Sequence, residues 1–559
     1  MQYKELVELY EKLYGTTKKL EKVELLAEFL VKLREEGRSE WIYLLRGKVV
    51  PDYDSREFGI SRQLVIKAMH KTYGLSDSEI VKKLNQSGDL GELTEKLARS
   101  GKQSSLFSKK LSVEHVFNIL QKLLDIEGKG SVDIKLSYIS ELLLNATPSE
   151  AKYIMRTLLG DLRIGVADAL LRDSLIKAFL SDSEQEVADK LEESFDLVND
   201  SAVVFEAASK GKKALEKLKL IPGKPTKVML PVKVASVEEG FKVCGKPAAF
   251  EHKYDGFRVL INKNKNNVTL FTRKLENVTN QFPDVVKAVL EQIDGDSFIL
   301  DSEVVGYDSK TGNYMPFEAI SQRIRRKYDI EEIIKKLPVE INAFDILYYN
   351  GESVIELSFK ERRKILEKIV NVKKRVIRTS FLFVSNDLKK VEKFYEDALK
   401  NGEEGIMIKN LEAPYKQGRR VGYMAKLKPV MADLDLVIVG AEYGTGKRGG
   451  WLTSYIVACK DENDYLEIGK VSSGLKEKEE EGMTYDKMTE LLNPLIISSE
   501  GNYVSLKPKV VVAVTYQNVQ KSPSYSSGLA LRFPRISAYR PDKPVSEIST
   551  LKDIEDETK

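Results

Sequence analysis

The sequence contains very little cysteine and histidine. Two cysteines, Cys244 and Cys459, and three histidines occur in 559 residues. Two cysteines cannot build a disulfide framework or a four-cysteine zinc module. This composition is typical of a protein of the reducing cytoplasm, and we expect the chain there.

Long apolar runs and a strong net charge are also missing. No apolar stretch approaches the roughly 20 residues that a membrane span needs. The N-terminal MQYKELVELYEKL has charges throughout, which predicts a chain without a signal peptide. The 89 basic and 85 acidic residues leave a net charge of +4. A nucleic-acid partner therefore has to be argued from local clusters.

The pattern of the chain changes twice, which predicts three domains. Residues 1–215 show helical periodicity, for example at Leu26, Phe29, Leu30 and Leu33. The stretch IPGKPTKVMLP opens a region, 216–430, in which short β-rich runs alternate with helical ones near 359–370 and 387–400. Within it, FRVLIN, a KNKN turn and VTLFT predict a β-hairpin. Residues 431–559 hold mostly short strands. We expect an all-α domain, an α+β domain and a small β-barrel-like domain.

One glycine-rich segment, GTGKRG (444–449), matches the dinucleotide-binding pattern GxGxxG. Such a site needs a helix directly after the glycines, whereas WLTSYIVACK (451–460) is predicted to be a strand. A phosphate-binding Walker loop is excluded too, because Lys447 is followed by Arg448 instead of serine or threonine. The glycines are better explained as the opening of a hairpin.

The functional interpretation depends on AAFEHKYDGFR (248–258), which contains Lys253. By itself KxDG is a weak signal, and a solvated lysine at a strand end explains it more simply. Six further segments follow in order: FTRK (271–274), LDSEVVGYD (300–308), AFDILYYNG (343–351), EEGIMIKN (403–410), RRVGYMAKLKP (419–429) and ALRFPRISAYRPDK (530–543). Together these segments resemble the motifs of the covalent nucleotidyltransferases, which comprise DNA ligases, RNA ligases and mRNA capping enzymes.

The residue types in these segments suit attack on the α-phosphorus of ATP. A lysine nucleophile must first lose its proton, which burial beside cations such as Arg258 and Lys426 favours. The same cations neutralise phosphate charge. Glu303 and Glu404 offer the oxygen ligands that Mg²⁺ prefers. Each residue taken singly is more simply explained by a surface ion pair; the ordered motifs favour a nucleotide site.

The resemblance implies a role for each residue at a matching position. Lys253 would carry the AMP, Glu251 would lie near the adenine amino group and Phe344 would stack on the base. Glu303 would engage the ribose hydroxyl or the metal, and Glu404 would be a metal ligand. Asp301 and Glu303 are expected on one face of a strand. Ser302 between them departs mildly from the glycine that is common there.

The remaining matching positions are cations. Arg258 and Arg273 would hold the ribose–phosphate and the 5′-phosphate of the nick. The residues implied to contact phosphate oxygens are Arg420, Lys426 and Lys428, and those implied to orient the departing pyrophosphate are Arg532 and Arg535. Lys426 and Lys428 are expected on one strand face by the period of two. Met424 stands where such ligases often have tryptophan, which puts stacking there in doubt.

The helical region narrows the resemblance. RTLLGDLRIGVADALL (156–171) is similar to part of the DNA-binding domain of archaeal and eukaryotic replicative DNA ligases, which capping enzymes and most RNA ligases lack. This similarity implies contacts to DNA phosphates by Arg156, Arg163, Gly160 and Gly165. A glycine-broken helix pair is the alternative. The run KSPSYSSGLALRFPR (521–535) also resembles that group, whereas the terminal zinc finger of NAD-dependent ligases needs more cysteines than this chain has.

The expected protein is therefore an ATP-dependent DNA ligase that seals nicked double-stranded DNA in replication, repair and recombination, with ATP as AMP donor and Mg²⁺. The resemblance implies a helical DNA-binding domain (1–215), an α+β nucleotidyltransferase domain (216–430) and a C-terminal OB-fold β-barrel (431–559). Two other readings are testable. An RNA-end ligase or guanylyltransferase would be labelled by GTP or would prefer nicked RNA. A catalytically silent DNA-binding scaffold would bind duplex without forming a lysine adduct.

A smaller feature, QSSLF (103–107), resembles the sliding-clamp box of similar ligases. Gln103, Leu106 and Phe107 fit that box, although only one aromatic residue occurs where two are common. A local core anchor is the alternative. We expect a monomer that associates with the nucleoid and binds a sliding clamp.

Overall fold

The computed structural model describes residues 1–559 except 101–109, 181–184, 325, 327, 430–432, 445–447, 463, 478–482 and 557–559. The described residues form two compact units, Met1–Leu427 and Lys428–Lys559. The predicted clamp box, with Gln103, Leu106 and Phe107, lies outside the described residues. Within the described ranges, no helix combines the length and apolarity that a membrane crossing requires.

The N-terminal part of the first unit is helical and encloses one apolar core. The predicted stripe of Leu26, Phe29, Leu30 and Leu33 is buried, which confirms that interpretation. A 3₁₀ turn at Ser39–Arg46 separates the second helix from the third. The helices are α1 Tyr3–Gly15, α2 Lys19–Glu36, α3 Arg62–Tyr73, α4 Asp77–Ser87, α5 Leu90–Ser100, α6 Val113–Asp125, α7 Ser131–Asn145, α8 Pro148–Leu158, α9 Asp168–Phe179, α10 Gln185–Val198, α11 Ser201–Ser209 and α12 Lys212–Leu215.

The rest of the first unit is built on two sheets. Its elements are β1 Val232–Val234, α13 Val237–Cys244, β2 Ala248–His252, β3 Phe257–Asn264, β4 Asn267–Thr272, α14 Pro283–Gln292, β5 Ser297–Gly306, α15 Phe317–Ile324, α16 Ile330–Lys336, β6 Val339–Tyr349, β7 Glu352–Ser353, α17 Phe359–Ile369, β8 Ile377–Thr379, β9 Leu382–Ser385, α18 Leu388–Lys400, β10 Ile406–Asn410 and β11 Met424–Leu427. One sheet has the order β1-β11-β10-β2-β9. The other has the order β4-β3-β5-β6-β7, with β8 paired to β6.

The predicted hairpin at FRVLIN and VTLFT is confirmed, because β3 and β4 pair in antiparallel register from Val259–Thr272 to Asn264–Asn267. The turn is shorter than the predicted KNKN, since β3 continues to Asn264. The helical stretches predicted near 359–370 and 387–400 are confirmed as α17 and α18.

The second unit is rich in strands. Its elements are β12 Leu434–Tyr443, β13 Leu452–Asp461, β14 Asp464–Val471, α19 Tyr485–Leu492, β15 Ile496–Glu500, β16 Tyr503–Leu506, β17 Val511–Thr515, β18 Val519–Lys521, β19 Leu529–Leu531, β20 Arg535–Tyr539 and α20 Leu551–Asp556. Their main sheet runs β14-β13-β12-β16-β15, and β17 pairs with both β12 and β20. The glycine-rich segment joins β12 to antiparallel β13, which confirms the hairpin and excludes the helix that a dinucleotide site needs.

Candidate active site

Lys253 is the residue directly after β2. In space it lies beside Gly405, the residue directly before β10. The antiparallel pairing of these strands sets His252 opposite Ile406. The Lys253 amide donates to the Gly405 carbonyl at 2.9 Å, and the Glu404 amide donates to the Lys253 carbonyl at 3.0 Å. The Lys253 Nζ forms a direct ion pair with the Glu404 carboxylate. Two segments that lie about 150 residues apart in sequence are therefore joined through backbone and side chains.

The other sheet contributes a cation and two carboxylates. In the register of β3 and β5, Arg258 lies opposite Glu303. The Arg258 guanidinium donates to both oxygens of Asp301, with Nε–Oδ1 at 2.8 Å and Nη2–Oδ2 at 2.5 Å. Its Nη1 donates to the Met229 carbonyl at 2.8 Å. The Asp301 carboxylate outweighs the effect of burial and raises the pKa of Arg258. Arg258 is thus fixed in the protein without a ligand.

Tyr415 completes this arrangement. Its hydroxyl donates to Asp301 Oδ2 at 2.6 Å and accepts from the Met229 amide at 3.0 Å. Tyr415 is fully buried, and Asp301 is too. Tyr415 therefore joins the backbone of Met229, which precedes β1, to the Asp301 carboxylate that holds Arg258. Sequence reasoning missed Tyr415, because only the fold brings its hydroxyl to residues more than 100 positions away.

Glu303 is a carboxyl group placed among opposite and like charges. Burial raises the pKa of Glu303 to about 7, while Lys253 and Arg258 act in the opposite direction and Glu404 adds to the rise. These mutual effects indicate that Glu303 and Glu404 lie in one electrostatic environment. Among the residues that the structure describes, no group of three or more histidine, cysteine or acidic side chains is arranged to hold a metal ion.

Three further cations share this environment. Burial lowers the pKa of Lys426, and Lys253 and Arg273 lower it further. Burial also lowers the pKa of Arg273, with Arg258 and Arg420 adding to the effect. Mutual repulsion among cations is relieved by a bound anion, so the arrangement suits a phosphate-bearing ligand. Met424, the position where tryptophan is common, is buried and packs in the core instead.

The predicted base-binding residues also lie together. Glu251 is buried on β2 and pairs with Lys409 Nζ at 2.6 Å. That ammonium lies 4.6 Å from the centroid of the Phe344 ring, and the guanidinium of Arg258 lies 5.4 Å from the same ring. Phe344 is only partly buried. Its ring can therefore receive a flat ligand beside the Arg258 cation.

Three predicted residues belong to the second unit. The prediction that Lys428 shares a strand face with Lys426 is wrong, because β11 ends at Leu427. Lys428 precedes Pro429, which has no amide hydrogen to continue the ladder. Arg535 opens β20 and pairs with Thr515 across the ladder. Arg532 contacts the Phe533 ring, with 5.3 Å between guanidinium carbon and ring centroid.

The position of Arg156 in the helical part does not fit the implied contact with DNA phosphates. Arg156 is buried, with Nη2 at 2.9 Å from Asp89 Oδ2, so it does not face solvent as a phosphate contact requires. Helical periodicity could not show that an acidic residue 67 positions away lies against it. Arg163 is half-exposed and pairs with Asp89 and Asp161. Gly160 and Gly165 both have positive φ, of 69° and 71°, and a Cβ at Gly160 would meet open space.

A second titratable pair flanks the ion pair of Lys253 and Glu404. The His252 ring packs against both Phe381 and Phe394, at centroid distances of 5.3 and 5.0 Å, and these two rings also contact each other at 5.8 Å. Its Nδ1 lies 3.9 Å from Glu403 Oε1. Burial raises the pKa of Glu403 to about 7 and lowers that of His252. No feature of the sequence pointed to this pair.

Three family profiles match the chain. They are the DNA ligase N terminus over residues 2–176, the ATP dependent DNA ligase domain over 228–428 and the ATP dependent DNA ligase C terminal region over 448–543. The DNA ligase of Nanoarchaeum equitans is 45% identical over 99% of this chain and 97% of its own length. That of Thermococcus fumicolans is 41% identical over 99% of this chain and 98% of its own. A solved structure designated Pmar-Lig_PreS3 has the same fold, with a TM-score of 0.57 and 17% identity over 96% of this chain and 99% of that one.

Proposed function

The chain belongs to the family of ATP-dependent DNA ligases, and we propose that Lys253 is the residue that accepts AMP from ATP. The observation that carries this proposal is the direct pairing of Lys253 with Glu404, in a site that also holds Arg258, Arg273 and Lys426. A nucleophile beside a group of cations suits attack on a phosphorus atom.

The first step forms one bond and breaks one. The Lys253 Nζ attacks the α-phosphorus, the nitrogen–phosphorus bond forms, and the bond from that phosphorus to the oxygen bridging the β-phosphate breaks. Pyrophosphate leaves with the electron pair of that bond. The amine gives up its proton, for which the Glu404 carboxylate is the direct partner. Arg258, Arg273, Arg420 and Lys426 neutralise the charge on the phosphates.

Two further transfers complete the reaction of the family. The 5′-phosphate of the nick attacks the phosphorus of the lysine-bound AMP and regenerates the free amine. The 3′-hydroxyl then attacks the activated 5′-phosphate, forms the phosphodiester bond and releases AMP. In this proposal Phe344 stacks on adenine, Glu251 lies at its amino group and Glu303 engages the ribose or a metal. Lys428, Arg532 and Arg535 act on the triphosphate and the leaving pyrophosphate.

The site fits Mg²⁺. Glu303 and Glu404 would hold the ion, because they supply two carboxylates, the ligand type that Mg²⁺ prefers. Mg²⁺ would supply charge neutralisation on the phosphates when bound. Because the pKa of Glu303 is raised to about 7, this carboxyl is a ready ligand only when bound cations or a rise in pH favour its ionised form.

The remaining assignments rest on family likeness and composition. We propose a DNA-binding domain at 1–215, an adenylation domain at 216–430 and an OB-fold domain at 431–559. In the first, Arg163, Gly160 and Gly165 approach DNA phosphates; Arg156 is left out because of its burial. We also propose a cytoplasmic monomer that associates with the nucleoid and meets a sliding clamp through residues 103–107.

The test is covalent labelling. Incubation with ATP labelled at the α-phosphate and Mg²⁺ should attach label to the wild-type chain, and peptide mass spectrometry should find AMP on Lys253. Lys253→Ala should remain unlabelled, whereas Lys263→Ala, which removes a lysine bonded to the Gly295 carbonyl elsewhere, should label normally. Label on Lys253→Ala would refute the assignment. Labelling by GTP in preference to ATP would favour the guanylyltransferase reading.

A further inference from the structure

The carboxylate of Glu251 is held by three donors. Its Oε1 accepts from Ser380 Oγ at 2.8 Å and from Arg363 Nη1 at 3.2 Å. Its Oε2 pairs with Lys409 Nζ at 2.6 Å. All four side chains are buried. Three donors, two of them charged, therefore fix the orientation of this buried carboxylate.

Arg363 and Ser380 contact Oε1 of Glu251, whereas Lys409 contacts Oε2. Arg363 lies on α17, and its Nη1 donates to Ser380 Oγ at 2.8 Å while its Nη2 donates to the Ser380 carbonyl at 2.5 Å. The Arg363 Nε donates outward to Glu367 at 2.7 Å. Ser380 in turn is fixed through its amide, which donates to the Ala343 carbonyl at 2.8 Å. The Ser380 hydroxyl oxygen therefore accepts a hydrogen bond from Arg363, and the hydroxyl donates its own hydrogen to Glu251.

One acceptor position of Glu251 remains. An ionised carboxylate offers about four lone-pair sites, of which the described side chains use two on Oε1 and one on Oε2. The free site is on the oxygen shared with Lys409, and the Lys409 ammonium also lies over the Phe344 ring, the proposed platform for the base. A base stacked on Phe344 would therefore lie beside the ion pair of Lys409 and Glu251, whose carboxylate has room to accept one more hydrogen bond.

We propose that Arg363 and Ser380 are positioning residues that hold Glu251 so that it selects the 6-amino group of adenine. This inference rests on the proposed function, since it needs the base on Phe344 and transfer to Lys253. Adenine presents a donor at its position 6, whereas guanine presents a carbonyl oxygen there. A carboxylate with a fixed orientation binds the first and repels the second. Selection of ATP over GTP is then set by a residue on α17 that does not touch the nucleotide.

The experiment compares three triphosphates labelled at the α-phosphate: ATP, GTP and purine riboside triphosphate, which lacks the 6-amino group. The measured quantity is kcat/KM for labelling of Lys253, in wild type, Ser380→Ala, Arg363→Met and Arg363→Lys. Wild type should prefer ATP to the purine analogue by roughly tenfold or more, because the analogue leaves a buried acceptor without its donor.

Loss of the contacts that hold Glu251 should lower kcat/KM for labelling with ATP and leave kcat/KM for the other two triphosphates unchanged. Arg363→Met should lower this preference for ATP by about tenfold, Ser380→Ala by a smaller factor, and Arg363→Lys should restore part of it. A merely structural role would lower labelling by all three nucleotides in the same proportion. Ser302→Ala is the matched control, since it removes a buried hydroxyl that donates only to the Val259 carbonyl at 2.9 Å.

Each outcome separates the two claims. If wild type carries AMP on Lys253 but Ser380→Ala and folded Arg363→Met keep the wild-type preference for ATP over the analogue, the positioning role is refuted while the proposed function stands. If Arg363→Met does not fold, Ser380→Ala and Arg363→Lys decide, because both retain buried side chains of similar size. If wild type forms no adduct on Lys253, the proposed function itself fails.

Discussion

Lys253 and Glu404 form an ion pair, and two backbone hydrogen bonds join the segments that carry these residues. The Lys253 amide donates to the Gly405 carbonyl, and the Glu404 amide donates to the Lys253 carbonyl. From the sequence we expected cations such as Arg258 and Lys426 beside the lysine, and Glu404 as a metal ligand. The fold instead gives the nucleophile a carboxylate as its direct partner. The lysine must therefore lose its proton beside this carboxylate before the nitrogen can attack.

The first prediction concerns this carboxylate. Glu404→Gln should lower the rate of AMP transfer to the lysine by about 100-fold or more, because it removes a charged group that acts directly at the reacting amine. Single-turnover labelling with saturating ATP measures that rate. Glu403→Gln is the matched control one residue earlier, whose side chain faces His252, and it should stay within about threefold of wild type. Equal loss in both variants would contradict a specific role for Glu404.

The second prediction concerns the hydroxyl that fixes Arg258. Tyr415→Phe leaves Asp301 and the Met229 amide each short of one hydrogen bond in a buried site, which should reduce stability by about 1–3 kcal/mol. It should also lower labelling of folded protein about tenfold, since Arg258 loses part of its support. Urea unfolding and labelling kinetics check both effects.

The control for that variant is Tyr10→Phe. Tyr10 is equally buried, and its hydroxyl donates to the Leu44 carbonyl at 2.8 Å within the helical part. It should lose stability to a comparable extent while its folded fraction labels at the wild-type rate. Slower labelling in both variants would mean that stability alone, and not the support of Arg258, accounts for the loss in Tyr415→Phe.

Local features of the fold were predictable from the sequence. The hairpin of β3 and β4 follows from alternating apolar residues around a polar turn, and the buried stripe of α2 follows from helical spacing. The motif order also brought attention to the residues around Lys253. These features depend on neighbours within a few positions in the chain, which is the range over which sequence patterns carry information.

Pairings between distant segments were not predictable. The burial of Arg156 depends on Asp89, and the hold on Arg258 depends on Tyr415 and Met229. The burial of Arg363 was not predictable either, because in the sequence it looks like any other charged residue of an amphipathic helix. A charged residue that pairs inside the fold looks, in one dimension, the same as one that faces solvent.

The third prediction is a pH dependence of stability that comes from Glu403. Burial raises its pKa in the folded protein to about 7, above the ordinary value of 4.5. The folded state therefore holds a proton that the unfolded state releases, and stability falls as pH rises from about 4.5 through 7. Glu403→Gln cannot ionise. Relative to wild type, its free energy of unfolding should increase between pH 5 and pH 8 by roughly 1–3 kcal/mol.

His252 contributes with the opposite sign in the same pH range. Its pKa is lowered by burial and by Arg378, so its contribution to stability is lost as pH falls below about 6.5. This contribution is common to wild type and variant as long as the His252 ring stays packed against Phe381 and Phe394. Glu238→Gln, an exposed residue on α13, should show no such difference. A flat difference for Glu403→Gln would show that the carboxyl titrates normally.

The last prediction separates two arginines of the helical part. Arg156→Met breaks a buried ion pair and leaves Asp89 with less compensation, which should cost about 3–5 kcal/mol of stability. Arg163→Ala removes a half-exposed side chain and should cost less than about 1 kcal/mol.

If Arg163 contacts a phosphate, the slope of log affinity for nicked duplex against log salt should fall by about 0.9 in that variant. Arg99→Ala, an exposed arginine on α5, should leave the slope unchanged, and so should folded Arg156→Met. A reduced slope for Arg156→Met would mean that this guanidinium leaves Asp89 to meet DNA; an unchanged slope for Arg163→Ala would remove Arg163 from the DNA-binding surface.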